Sequence, residues 1–275
     1  MGSVFSPYYA LNRRRGRPDP YAHCALNVAL YGTDGPSWSC TERGEARLAR
    51  SATTLAIGPS SLNWTGSCLE IGIDEVTAPV PRRLRGVVRV HPSAVTSSVF
   101  DLDAGGRHHW WPIAPCARVE VALASPALRW SGQGYLDGND GEEPIENAFS
   151  DWHWSRASLR SGSAVLYDVR RRDGEAASVA LRFGPSGAVT EEELPARARL
   201  RRSRWRVVRE TRADEGRLPS VRHTLEDGPF YARSILSTSV FAEDVPAMHE
   251  SLSLDRFRAP WVQAMLPFRM PRAIF

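Results

Sequence analysis

The amino-acid sequence predicts an all-β protein, two β-barrel or sandwich units with little helix. Three observations carry this expectation. Short runs of alternating apolar and polar residues recur along the chain. Gly, Pro and Asp clusters separate them as turn signals. Stretches with helical periodicity are few. The length, 275 residues, suits one large all-β domain or two modest ones, and an apolar fraction of 42% is enough for a packed core.

In chain order, residues 42–50 (ERGEARLAR) read as a turn or two of helix. Residues 68–76 (CLEIGIDEV) put Leu69, Ile71 and Ile73 on one strand face and Glu70 and Asp74 on the other. Residues 84–90 (LRGVVRV) and 118–123 (RVEVAL) alternate likewise. The DGNDG of residues 137–141 has the chemistry of a surface turn. Residues 163–170 and 176–183 flank Arg172-Asp173-Gly174-Glu175, a hairpin turn. Residues 204–211 (RWRVVRET) and 251–257 (SLSLDRF) read as strands, and Asp227-Gly228 as a turn between two more. Residues 259–266 (APWVQAML) suit a short helix with Pro260 in its first turn and Pro267 ending it. Its apolar residues Trp261, Val262, Met265 and Leu266 fall mostly on one side. A boundary in the Gly/Pro/acid-rich stretch after Asn139 divides the chain into units of residues 1–148 and 149–275.

Charge and cysteine usage narrow the function classes. Every basic residue is Arg, and the net charge is +4. Arg clusters at 13–17, 82–85, 170–172 and 197–206 suit solvated faces or, more specifically, attraction to an anionic membrane surface. No nucleic-acid recognition motif accompanies them, so nucleic acid is not an expected partner. The four cysteines are widely spaced without a CxxC pair, and no HExxH occurs. An EF-hand reading from Asp137 fails, because Glu142 stands where the sharp turn needs Gly. No metal is therefore expected. No secretory apolar region is visible at the N-terminus, so reduced thiols in a cytoplasmic protein are expected. Met1, Gly2 and Ser6 fit a myristoylation pattern only formally. No apolar run is long enough to span a bilayer.

The richest stretch is residues 132–157, GQGYLDGNDGEEPIENAFSDWHWSRA. It sets Asp137 two residues after Tyr135 and among Phe149, Trp152 and Trp154, with Trp130 upstream. The residue types alone leave open a plain turn, a cation loop or a proton-donating acid. An Asp in water has a pKa of about 3.9, and full burial can raise it by roughly 3–5 units. Half-protonation at neutral pH needs about three units, or roughly 4 kcal/mol. Such an acid can protonate an alkene, and Trp or Tyr faces stabilise the resulting cation by about 2 kcal/mol when desolvated.

Several long segments go further: SPYYALNRRRGRPDPYAHCALNVALYG (6–32), TERG (41–44), LAIGPSSLNW (55–64), DEVTAPVPRRLRG (74–86), GYLDGNDGEEPIENAFSDWHWSRA (134–157) and HESLSLDRFRAPWVQAMLPFRMPR (249–272). Together they resemble the carotenoid 1,2-hydratases, also called hydroxyneurosporene synthases, almost from end to end, more loosely over about 160–240. The resemblance implies two lipocalin-like β units and addition of water across the terminal 1,2 double bond of an acyclic carotenoid, neurosporene- or lycopene-like. It implies no organic cofactor, redox chemistry or metal. Matched onto this sequence, it places the proton donor on Asp137 with Tyr135 and Trp110 beside it. Trp111 is adjacent to Trp110, but strand neighbours point to opposite faces, so only one should line the site. His108, His109, Asn139, Trp152 and Trp154 are further candidates for substrate or water positioning. A polyene is nearly insoluble and a lipocalin-sized barrel holds one small ligand. Only the end group is thus expected to enter, from a peripheral position on the inner or intracytoplasmic membrane, with the Arg clusters and residues 259–266 as candidate contacts. The alternatives are a protonation-initiated cyclase or hydratase acting on another isoprenoid, and a non-catalytic lipid or carotenoid carrier.

Overall fold

A computed structural model describes residues 4–32 and 35–273, so Met1 and Gly2 of the formal myristoylation pattern lie outside the described residues. The chain is mostly strand. Helix α1 (Pro7–Arg14) opens with Ser6 as N-cap and Pro in the first turn, where its missing N–H is harmless. Strands β1 (Asn27–Leu30) and β2 (Ser37–Cys40) form an antiparallel pair. Then come β3 (Leu48–Arg50), β4 (Thr54–Ile57), β5 (Ser60–Trp64), β6 (Leu69–Val76), β7 (Arg83–Pro92), β8 (Phe100–Asp101), β9 (His108–Ser125) and β10 (Ala127–Gly141). They make one sheet in the order β10-β9-β7-β6-β5-β4-β3, with β8 beside β9.

A short helix, α2 (Ile145–Ala148), precedes the second sheet. Its strands are β11 (Phe149–Leu159), β12 (Gly162–Arg171), β13 (Ala176–Phe183) and β14 (Val189–Glu191). A separate pair follows, β15 (Ala196–Leu200) with β16 (Arg209–Ala213). Strands β17 (Ser220–Asp227), β18 (Tyr231–Val240) and β19 (Glu243–Ser253) complete the second sheet, in the order β14-β13-β12-β11-β19-β18-β17. Helices α3 (Leu254–Phe257) and α4 (Pro260–Arg269) follow.

By compactness the chain forms two units. The first comprises Met1–Pro92, Arg118–Gly134 and Gln263–Phe275, the second Ser93–Ala117 and Tyr135–Val262. Sheet membership changes at Phe149, beside the sequence boundary at 148/149, but the compact units interleave because the long β9 and β10 each contribute to both.

In the first unit two buried glutamates gather the chain. Glu42 accepts hydrogen bonds from Ser6, Arg272 and, at 2.9 Å, His23 Nδ1. Glu75 takes a bidentate Arg43 at 3.0 and 2.8 Å and the Ser60 hydroxyl at 2.7 Å. A carboxylate removed from water needs such partners. In the second unit, alternation gives each strand two roles. One face of β11, with Ala157 and Leu159, joins Ala164, Leu166, Leu236 and Ala247 in an apolar core. The same face carries His153 and Ser155 into a buried polar chain, Thr211–Ser155–His249–Ser251–His153, with separations of 2.8–3.0 Å. The opposite face, with Trp152 and Trp154, is left for the site.

Several local expectations change. Residues 42–50 hold only a 3₁₀ turn, Glu45–Arg47, before β3. DGNDG is the extended end of β10 and not a turn; pairing with β9 overrides its local chemistry. Residues 204–208 lie outside any strand, and Leu254–Phe257 is helical. Helix α4 continues to Arg269 with Pro267 inside it. Its Val262 and Leu266 are buried, whereas Trp261 and Met265 face out. The turns at Arg172–Glu175 and Asp227–Gly228 occur as expected. All four thiols are free, with Cys24, Cys40 and Cys68 buried.

The hairpin between β11 and β12 turns tightly, with Leu159 opposite Gly162. Gly162 has φ +150°, and a Cβ there would lie 1.9 Å from the Phe183 carbonyl oxygen. Gly162→Ala is therefore expected to destabilise the protein by about 2–3 kcal/mol, through overpacking and backbone strain, measurable as a lower urea midpoint.

Candidate active site

The site is built entirely within the second unit. Along β10, Tyr135, Asp137 and Asn139 stand at alternate positions and share one face. On β9, His108 and Trp110 are buried, while Trp111 on the other face is 43% exposed. Trp110 Nε1 donates to Asp137 Oδ2 at 2.9 Å. The Tyr135 hydroxyl donates to the same oxygen, also at 2.9 Å. These two donors occupy Oδ2, so a proton on the acid belongs on Oδ1.

Aromatic rings close around this carboxyl. The Tyr167 ring lies 5.4 Å from Trp110 and 6.0 Å from Trp152, and Trp154 packs 5.3 Å from Tyr135. Phe100 backs Trp110 at 5.4 Å. Tyr167 comes from β12, directly opposite Trp154 in the ladder, so both project from one sheet face. Its hydroxyl donates to Asn139 Oδ1 at 3.2 Å.

The electrostatics follow from this enclosure. Asp137 keeps part of its surface exposed, yet burial of its carboxyl pushes the pKa up. The hydrogen bonds from Trp110 and Tyr135 pull it down, and the charge of Glu250 pushes it up again; burial prevails, and the pKa stands above that of an ordinary Asp. Burial also pushes Tyr135 and Tyr167 well above the usual phenol value, with the charge of Asp137 adding to it. Both phenols are therefore neutral donors at physiological pH.

The remaining sequence candidates separate. His108 is buried with Nδ1 2.9 Å from Asp103 Oδ2. Burial raises Asp103, but hydrogen bonds from His108, Arg107 and Gly105 outweigh it and hold the carboxyl below its ordinary range. The Asp103 carboxylate accepts from His108 Nδ1 and fixes the orientation of the ring. Among the described residues the buried Nε2 of His108 has no hydrogen-bond partner, and neither has Trp154 Nε1. His109 points to the solvated face, where Nδ1 meets Asp140 Oδ1 at 2.7 Å, and this raises its pKa. It and Trp111 stand apart from Asp137. Sequence reasoning missed Tyr167, Phe100 and Glu250. Glu250 is opposite Trp154 on β19 and paired with Arg233 Nη2 at 2.7 Å. The alternation of SAVLYDVR carried a signal for Tyr167, but its pairing with Trp154 did not follow from it.

A half-buried carboxyl ringed by aromatic side chains thus stands on a lipocalin-like β scaffold. The fold is shared with the crystal structure of a putative AttH from Nitrosomonas europaea, at TM-score 0.60 and 13% identity over 83% of this chain and 80% of that one. The model of the carotenoid hydratase CrtC family matches residues 1–274, and the chain belongs to that family. It is 57% identical to the acyclic carotenoid 1,2-hydratase of Thiocapsa roseopersicina, over 99% of this chain and 67% of that one. It is 49% identical to the enzyme of the same name from Rubrivivax gelatinosus, over 99% and 68%.

Two titration outcomes are expected. Because Tyr135 lowers the Asp137 pKa, Tyr135→Phe should raise it further, read by carboxyl carbon-13 NMR. Because the folded pKa lies above the unfolded one, the protein takes up a proton here on folding. The group's contribution to stability is then complete below about pH 3.9 and is lost as pH rises through the folded value. Asp137→Asn should therefore melt higher than the unmodified protein at neutral pH, with the gap closing in acid.

Proposed function

We propose that the protein hydrates the terminal 1,2 double bond of an acyclic carotenoid, giving a tertiary alcohol, with Asp137 as proton donor. The observation that carries this reading is the convergence of Trp110 Nε1 and Tyr135 OH on one oxygen of an enclosed carboxyl whose pKa burial has raised. Family membership and the names of the relatives support the reaction and the substrate class.

Asp137 Oδ1 delivers its proton to C2 of the end group, and positive charge develops at the tertiary C1. The faces of Trp110, Tyr135 and Tyr167 stabilise that charge by about 2 kcal/mol or more in a desolvated setting. Water adds to C1. The ionised Asp137 carboxylate is the group suited to take the surplus proton; His109 is engaged by Asp140 and Asn139 by Tyr167. Return of that proton to Asp137 completes the cycle. One water is consumed, no electrons are transferred, and no cofactor is required. The proton donor must be neutral, so turnover should fall as pH rises through the raised pKa of Asp137.

The test uses lycopene or neurosporene in liposomes and isotope-labelled water. The unmodified protein is expected to form an alcohol carrying the labelled oxygen, and Asp137→Asn to lose about 10²–10⁴-fold in rate. A cyclised product without labelled oxygen would replace hydration by cyclisation. Unchanged substrate bound equally by both proteins would indicate a carrier.

A further inference from the structure

We infer that the outer face of α4 and the loop 201–206 form a docking surface for an anionic lipid bilayer. On α4 the residues Val262 and Leu266 are buried, as is Met270 just past its end. The other side should then be polar, as on an ordinary surface helix. Instead it presents Trp261 at 46%, Met265 at 42% and Phe268 at 74% exposure. These stand at i, i+4 and i+7, on one stripe of a helix about 15 Å long. The helix is thus apolar on both sides, with one side left uncovered.

Trp205 extends this stripe. Its ring stacks on Trp261 at 6.2 Å between centroids and is 41% exposed. The loop that carries it is held in place: the backbone N–H groups of Arg204 and Trp205 donate to Asp227 at 2.6 and 3.3 Å, and Arg256 donates to the Trp205 carbonyl. Around Trp205 stand Arg201, Arg202, Arg204 and Arg206, all exposed. The nearby acids are committed elsewhere, Asp227 to the loop backbone and Asp255 to Arg172 at 2.6 Å. The result is an aromatic stripe with a fringe of guanidinium groups.

This chemistry fits a lipid surface. Tryptophan rings favour the boundary between headgroups and acyl chains, and arginines are drawn to anionic headgroups. An amphipathic helix lying in the interface buries such an apolar face. A second copy of the chain fits less well, since a two-fold contact through this face would set its arginines against the same arginines of the partner. No helix among the described residues is long and apolar enough to cross a membrane, so the contact is one of lying on the bilayer.

The surface also lies close to the chemistry. Leu252 on β19 pairs with Trp152 of the site wall and precedes Trp261 by nine residues. Even a fully extended chain of that length spans at most about 30 Å. A polyene dissolved in the bilayer could present its end group to Asp137 without leaving the lipid. This last step rests on the proposed carotenoid substrate; the docking itself does not.

The experiment compares sedimentation with vesicles of phosphatidylcholine alone and with added phosphatidylglycerol, using the unmodified protein, Trp261→Ser/Phe268→Ser and Arg202→Gln/Arg204→Gln/Arg206→Gln. Binding is expected to require phosphatidylglycerol, to weaken with salt and to fall at least ~10-fold in each variant. Hydration of detergent-dispersed carotenoid should persist in both variants, which also confirms that they fold. Equal vesicle binding by all three proteins would overturn the proposal, as would no binding by the unmodified protein. So would a change from dimer to monomer in the Trp261 variant with vesicle binding intact. Reduced vesicle binding with no turnover of any carotenoid by any of the proteins would retain the docking surface and reject the substrate.

Discussion

The balance of forces on one carboxyl organises this protein. Asp137 is drawn towards ionisation by two hydrogen-bond donors on Oδ2 and towards neutrality by burial and by the charge of Glu250. Either donor alone would position the acid less firmly, and a third would favour its anion. With Oδ2 occupied, a proton on the acid has one place to reside, Oδ1. Tyr135 and Trp110 thus hold the acid, and with Tyr167 they surround it with aromatic faces from the same small set of side chains.

Strand alternation makes so dense a site possible. On β11, Trp152 and Trp154 face the acid, while His153, Ser155 and Ala157 face the opposite side. That side is stabilised by its own apolar core and by a continuous hydrogen-bonded chain through two histidines. On β9, His108 and Trp110 go inward while His109 and Trp111 meet solvent. A one-residue slip in either strand would exchange these sets. Tight turns such as the one at Gly162 help set the register, so the geometry around Asp137 is tied to backbone constraints remote from the acid.

Much of this was legible in the linear sequence. The alternation of CLEIGIDEV and the hairpin at Arg172–Glu175 correspond to real strands and a real turn. The adjacent tryptophans Trp110 and Trp111 separated to opposite faces as strand geometry requires. Other segments misled. DGNDG carries turn residues but extends β10, because a paired partner strand decides its conformation. RWRVVRET alternates but begins in a loop held by Asp227, and SLSLDRF leaves β19 for a helix after Ser253. APWVQAML showed a helix without showing which of its apolar residues would be covered.

By itself the sequence determined the all-β class and the family resemblance, and that resemblance set Trp110 and Tyr135 beside Asp137, where both donate to its carboxyl. These depend on local periodicity and on long contiguous motifs, which survive in a one-dimensional reading. The tertiary structure decided which rings surround that acid. Tyr167 stands opposite Trp154, and His108 meets Asp103, only through pairings and a buried contact that no local pattern specifies. It also decided the direction in which the Asp137 pKa moves, upward, since a pKa reflects burial and neighbouring charge, and both exist only once distant strands have come together.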